Sequence, residues 1–173
     1  MNPAIDLRTR LVQVALEWEK YYGIAPSITT AISELDAALL FGMSLEKYRD
    51  DGQIRTAVTR GHDFVWDGLR YQVTANRPSG KKGSHVTLVS RKTTFDWERL
   101  VWLLYDRDYN LQEAWFFEAS TYQDLFAGKK RLSPADMRHG NRLFPLEPIQ
   151  QSIIHVSEGV SSAPLAPIKS VSA

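Results

Sequence analysis

Cysteine is absent from the chain. Its absence excludes disulfides, thiolate zinc sites, iron–sulfur ligation and a cysteine nucleophile, and fits a reducing, cytoplasmic setting. Histidine is scarce, and none of His62, His85, His139 and His155 stands at metal-ligand spacing from another. Each is read as a satisfied or exposed side chain. Long apolar runs are missing too: Val101–Tyr105 is far short of the roughly 20 residues that span a bilayer, so no membrane partner is expected. The N-terminus has no apolar stretch behind a basic one, so no signal peptide is expected. There is no Walker loop, GxGxxG, GxSxG, HExxH or EF-hand spacing. Charge of one sign is also lacking, with 21 Lys+Arg against 20 Asp+Glu and a net charge of +1. Such a balance ordinarily argues against a nucleic-acid partner.

What is present is a chain of 173 residues that is 43% hydrophobic and 11% aromatic, enough for a packed core. Residues 1–145 read as a single domain. After Pro145 the composition turns to Pro, Ser, Ala and Val, and residues 146–173 are expected to be a flexible tail.

Along the domain, Leu7, Leu11, Val14, Ala15 and Trp18 recur with the helical period and give an amphipathic helix over 5–22, closed by Gly23. Ser27 stands where an N-cap belongs, and a second helix is read over 28–41 with Gly42 as its stop. A short helix is possible over 45–50. At residue 62 the period changes to two. Leu69, Tyr71, Val73 and Ala75 alternate with Arg70, Gln72, Thr74 and Asn76, which is a strand. Asp67-Gly68 before it is a hairpin dipeptide, making 62–66 the partner strand. His85–Ser90 is a further strand. Trp97–Tyr105 suits either a buried strand or a helix, and the turn at 106–110 favours a central strand paired with 111–118. Short helices follow over 121–126 and from Ser133-Pro134. The fold class is α+β: two N-terminal helices, a mixed and mainly antiparallel sheet of about five strands, and short C-terminal helices.

The charge is segregated. Residues 68–95 carry Arg70, Arg77, Lys81, Lys82, Arg91 and Lys92 without one acid, and residues 96–124 are acidic. The basic stretch suits a phosphate backbone, whose counterions it would release. A solvated surface of alternating sign is the plainer reading. Asn76-Arg77-Pro78-Ser79-Gly80, followed by Lys81 and Lys82, is either a phosphate-gripping loop or a connection needing Gly for its shape.

The acidic residues near the hairpin are the second informative set. Glu34 lies on the second helix, Asp63 and Asp67 bracket the first strand, and Gln72 and Thr74 share the polar face of the next. A hairpin sets an acid on one strand beside residues of the other. Two carboxylates and an amide oxygen are hard donors acceptable to Mg²⁺ or Mn²⁺, which would polarise a phosphate and activate water. The alternative is that Asp63 and Asp67 are turn residues and Gln72 an exposed strand position.

A helix bearing Glu34, a strand bearing Asp63, then Tyr71-Gln72-Val73-Thr74 resembles the PD-(D/E)XK nuclease-like superfamily, with its restriction-endonuclease-like core. Gly61-His-Asp-Phe-Val-Trp-Asp-Gly-Leu-Arg-Tyr-Gln-Val-Thr-Ala-Asn-Arg-Pro-Ser-Gly80 is similar to a group of small bacterial proteins of unassigned function. The likeness runs from about Ala25 through Trp102-Leu-Leu-Tyr-Asp, Gln112-Glu-Ala-Trp115 and Arg131-Leu-Ser-Pro-Ala-Asp-Met137. The resemblance implies that Asp63 is the metal-binding acid, Gln72 the (D/E) position and Glu34 the helix-borne acid. Thr74 falls where the motif has Lys. Either a nearby cation substitutes, Arg70 on the same strand face being nearest and Lys81, Lys82 and Lys92 the others, or catalysis is lost.

Two function classes follow from the resemblance. One is a Mg²⁺-dependent nuclease acting on DNA, with Arg77, Ser79, Lys81, Lys82, Arg91 and Lys92 on the nucleic acid. The other is a degenerate module of the same fold that binds DNA or a protein, and homodimerisation is compatible with both. A phage- or mobile-element-associated interaction protein is a third possibility.

Overall fold

The computed structural model describes residues 3–54, 61–79 and 88–145. Lys81, Lys82, His85 and the expected tail over 146–173 lie outside the described residues. The architecture is α+β. Three helices lead, α1 (Pro3–Tyr22), α2 (Thr29–Leu40) and α3 (Leu45–Ile54). A five-stranded mixed sheet follows, built from β1 (Phe64–Trp66), β2 (Leu69–Asn76), β4 (Arg99–Tyr105), β5 (Leu111–Glu118) and β7 (Asn141–Phe144) in the order β1-β2-β4-β5-β7. The short β3 (Val89–Ser90) and β6 (Arg131–Leu132) pair in a separate ribbon. The helices α4 (Ala119–Phe126) and α5 (Pro134–Met137) complete the order. No described helix is long and apolar enough to cross a membrane.

The hairpin β1–β2 turns at Asp67 and Gly68, both with positive φ, the backbone that Asp-Gly supplies at low steric cost. The α2 helix ends as its glycine suggests. Gly42 is left-handed at φ 82°, and the Met43 N–H donates to the Ala38 carbonyl at 3.1 Å. Ser27 is not the cap of α2. The Pro26 carbonyl accepts the Ile28 N–H, the chain turns there, and the helix starts at Thr29 with no side-chain cap.

Trp97–Tyr105 resolves as a strand over its larger part. β4 lies between β2, to which it is parallel, and β5, to which it is antiparallel. Val101, Leu103 and Tyr105 point into a core shared with Ile32, Tyr71 and α2, while Leu100 and Trp102 point into a second core with Phe117, Tyr122 and Phe126. Both faces are covered, so the strand reads as an unbroken apolar run rather than an alternation. The parallel β2–β4 pair requires a long crossover, which includes β3 and the basic residues 91 and 92.

One helix face differs from its sequence reading. Of the apolar set on α1 only Ala15 is buried; Leu7, Leu11, Val14 and Trp18 stand in solvent. The helix is clamped from its other side by Arg8, which pairs with Asp36 at 2.6 Å, and by Glu19, which pairs with Arg77 at 2.7 Å. Two partly buried ion pairs flanking Val12 and Ala15 choose the docked face over the more apolar one.

Candidate functional site

β1 pairs with β2 only over Phe64↔Tyr71, Val65↔Arg70 and Trp66↔Leu69. From Gln72 onward β2 has β4 on one side, and its other edge turns toward a cavity. Asp63 stands at the mouth of that edge. Its own N–H donates to the Tyr71 carbonyl at 2.7 Å, and its carboxylate Oδ2 accepts the Val73 N–H at 2.6 Å. Gln72 Nε2 donates to the same Oδ2. Asp63 and Gln72 therefore lie on one side of the sheet, as the hairpin register requires.

The cavity, of about 320 Å³, is lined by Thr29, Thr30, Ser33 and Glu34 from the first turns of α2, by Asp63, and by Gln72 to Ala75 of β2. Lys92 lines it as well. The helix presents its N-terminal end here, where backbone N–H groups and the helix dipole favour an anion. Ser33 turns its hydroxyl back to the Thr30 carbonyl at 3.0 Å. Glu34, Asp63, Gln72, Thr74 and Lys92 thus come from three distant parts of the chain to one cavity.

Lys92 owes its place to the crossover. The preceding residue, Arg91, donates its N–H to the Lys130 carbonyl at 3.1 Å, extending the β3–β6 pairing by one residue. The Lys92 N–H then donates to the Tyr122 hydroxyl at 3.0 Å. Tyr122 is on the buried side of α4, and that burial pushes its phenol above the ordinary tyrosine range, so it remains a neutral acceptor. The Arg91 side chain is half-buried, with its Nη1 3.4 Å from the Lys92 carbonyl.

Other candidate residues lie elsewhere. Arg70 is on the expected strand face, but its guanidinium engages Glu98, with Nη2 to Oε1 at 2.6 Å, and it does not line the cavity. Arg77 is withdrawn from solvent, its side chain 7% exposed. Its guanidinium bonds Glu19 and the Arg107 carbonyl and stacks 4.3 Å from the Tyr109 ring centroid. Arg77 and Ser79 line a second cavity, of about 420 Å³, with Glu19, Lys20, Arg107 and Asp108. Asp67 occupies the hairpin turn and does not reach the first cavity. His62 is half-buried, and its Nδ1 is out of solvent without a hydrogen-bond partner among the described residues.

Thr29, Thr30 and Ser33 were not singled out from the sequence. The signal was available: residues 30, 33 and 34 are spaced to share one helix face, which makes a polar patch opening an otherwise apolar helix.

Among the described residues, no group of three or more His, Cys, Asp or Glu side chains is placed to hold a metal ion. A divalent cation in this cavity would therefore depend on the Gln72 amide oxygen as well as on Glu34 and Asp63. That donor set is all hard oxygen, the kind that Mg²⁺ and Mn²⁺ accept alongside water. For Gln72 to contribute, its amide must turn its oxygen toward the cation, away from the orientation in which the NH₂ faces Asp63. No protein-family model matches the chain, and no curated protein matches it.

Proposed function

We propose that this protein is a metal-dependent nuclease of the PD-(D/E)XK type, hydrolysing phosphodiester bonds of DNA at the cavity between α2 and the edge of β2. The observation that carries this reading is that Glu34, Asp63, Gln72 and Lys92 share one cavity. What a divalent cation supplies when bound is Lewis acidity toward a phosphate oxygen and a water of lowered pKa. Asp63, Glu34 and Gln72 would hold that cation through oxygen. Lys92 supplies the positive charge that Thr74 lacks, beside the charge that develops on the phosphorus oxygens. The N-terminal turns of α2 orient a phosphate with their N–H groups and with the Thr29 and Thr30 hydroxyls.

Thr74 in place of the motif lysine supports a second reading, a catalytically degenerate module that binds DNA or a protein partner through the same face. One assay separates the two. The full chain is incubated with plasmid, linear and single-stranded DNA in Mg²⁺ or Mn²⁺, beside Asp63→Asn and Lys92→Ala. The nuclease reading expects cleavage by the native chain and a loss on the order of 100-fold or more in each variant. No cleavage, or equal cleavage by native chain and Asp63→Asn, overturns it. Salt-dependent DNA binding without cleavage selects the binding module.

A further inference from the structure

The outward face of α1 carries a second pattern beneath the helical one. Leu7, Leu11, Val14, Trp18 and Tyr21 follow one another at spacings of four, three, four and three residues. That is the 3.5-residue period of a coiled-coil seam. All five are exposed, at 60%, 41%, 60%, 50% and 83%. The docked face follows a separate row, Arg8, Val12, Ala15, Leu16 and Glu19, in which Val12 and Leu16 pack on the core and Arg8 and Glu19 are ion-paired. A helix that spends Val12, Leu16 and two ion pairs on its own domain still presents five further apolar side chains outward in heptad register.

We propose that the partner is a second copy of this chain, packed through α1 in an antiparallel, two-fold pair. Taking Leu11 and Trp18 as a positions and Leu7, Val14 and Tyr21 as d positions, the flanking g positions are Arg10 and Glu17. In an antiparallel pair g meets g. Setting Leu11 opposite the partner's Val14 places Leu7 opposite the partner's Trp18. Arg10 then faces the partner's Glu17, and the two-fold axis repeats that contact. A parallel pair would instead set Arg10 against Ala15 and Glu17 against Tyr22, with no charge complementarity. Arg10 is well exposed, its contact within the chain being Asp6 one turn back at 3.8 Å.

The extent of the seam is sufficient. The helix has 20 residues, which makes it about 30 Å long. At its last residue Tyr22, and just beyond it at Ile24, the apolar surface continues at 58% and 70% exposure. Beside it a groove of about 200 Å³ is lined by Leu11, Val14, Ala15, Trp18, Pro26 and Ile28, a receptacle for side chains arriving from the second helix. Two such faces closed on each other reach the order of 1,000 Å² that a specific interface requires. This groove shares no lining residue with the Glu34–Asp63–Gln72 cavity, and the dimer stands whether or not that cavity hydrolyses DNA.

Sedimentation equilibrium of the full chain tests the proposal. The native chain is expected to sediment as a dimer at micromolar concentration. Val14→Asp is expected to shift it to monomer with the circular dichroism spectrum unchanged, since Val14 is 60% exposed on the outward side of the helix. Arg10→Glu alone is expected to weaken dimerisation at least tenfold, and Arg10→Glu combined with Glu17→Arg to restore it. That restoration is specific to the antiparallel register and does not depend on the apolar variant folding. A monomer at roughly 100 µM overturns the proposal, since association weaker than that is not a specific dimer. So does a dimer indifferent to Val14→Asp, or a monomer whose α1 face is covered by residues 146–173 or by a lipid vesicle.

Discussion

The Asp63 carboxylate accepts the Val73 backbone N–H at 2.6 Å, at the point where the β1–β2 ladder ends. Beyond that point the edge of β2 would leave an N–H without a strand partner, and Asp63 supplies the acceptor. The same oxygen takes the Gln72 amide. One side chain thus closes the hairpin ladder and lines the cavity, and its two duties separate under substitution.

Asp63→Ala removes the acceptor and strands a partly buried N–H, and is expected to lower stability by about 1–3 kcal/mol. Asp63→Asn retains an oxygen for Val73 and is expected to cost less than half as much. Urea unfolding of the two variants measures this. Equal losses would mean that the Val73 contact contributes nothing to stability.

Tyr122 acts on the cavity through Lys92. Tyr122→Phe keeps the buried ring among Phe117, Phe126 and Trp97 but deletes the hydroxyl that accepts the Lys92 N–H. The stability cost is expected to be about 1 kcal/mol. If the cavity cleaves DNA, turnover is expected to fall severalfold while DNA affinity changes little, because Lys92 is loosened rather than removed. A fall in affinity with turnover unchanged would contradict this positioning role.

In the second core, Trp102 Nε1 donates to Asn76 Oδ1 at 2.6 Å, and both residues are buried. Asn76→Leu replaces the acceptor with an apolar group and leaves the indole N–H unsatisfied. A loss of about 2–3 kcal/mol is expected. Paired with Trp102→Phe, the change should become far less harmful than the sum of the single variants. Additive losses would show that the two residues are not coupled.

Acid is expected to destabilise the fold through its ion-paired carboxylates. The hydrogen bonds from Arg70 hold the Glu98 carboxyl down to about 2, and the Arg138 guanidinium holds Glu113 below the usual carboxylate range. Each contributes stability that is fully present above the pKa of an unfolded glutamate and is lost as pH falls toward the folded value. For Glu98 that window runs from the ordinary glutamate range down to about 2. Arg70 and Glu98 are both more than one-third exposed, so salt is expected to flatten the effect. Thermal melts of the native chain and Glu98→Gln across this range check the claim, the variant showing the shallower decline. Identical slopes would remove Glu98 as a contributor.

Much of the fold was legible locally. The Asp67-Gly68 turn, the alternation of β2, the Gly42 stop and the Ser133-Pro134 helix start are all decided by residues within a few positions of one another. The short polar strands β6 and β7 were not legible, since Arg131–Leu132 and Asn141–Phe144 carry no period of their own and become strands by pairing with β3 and β5. Of the candidate cavity, Asp63, Gln72 and Thr74 could be grouped from hairpin register alone. The cation could not be selected. Arg70 was nearest in sequence, yet Glu98, 28 residues away, takes its guanidinium, and a crossover pinned by Tyr122 brings Lys92 instead.

By itself the sequence determined the α+β class, the hairpin that sets Asp63 beside Gln72, and the exclusion of thiol chemistry. These depend on composition and on periods that a backbone imposes over short distances. Only the tertiary structure decided that Lys92 lines the cavity while Arg70 and Arg77 go to ion pairs, because a guanidinium goes to whichever carboxylate the packing delivers. It also decided which face of α1 is docked. Arg8–Asp36 and Arg77–Glu19 link residues 28 and 58 positions apart, and those clamps leave the most apolar side of the helix turned to solvent.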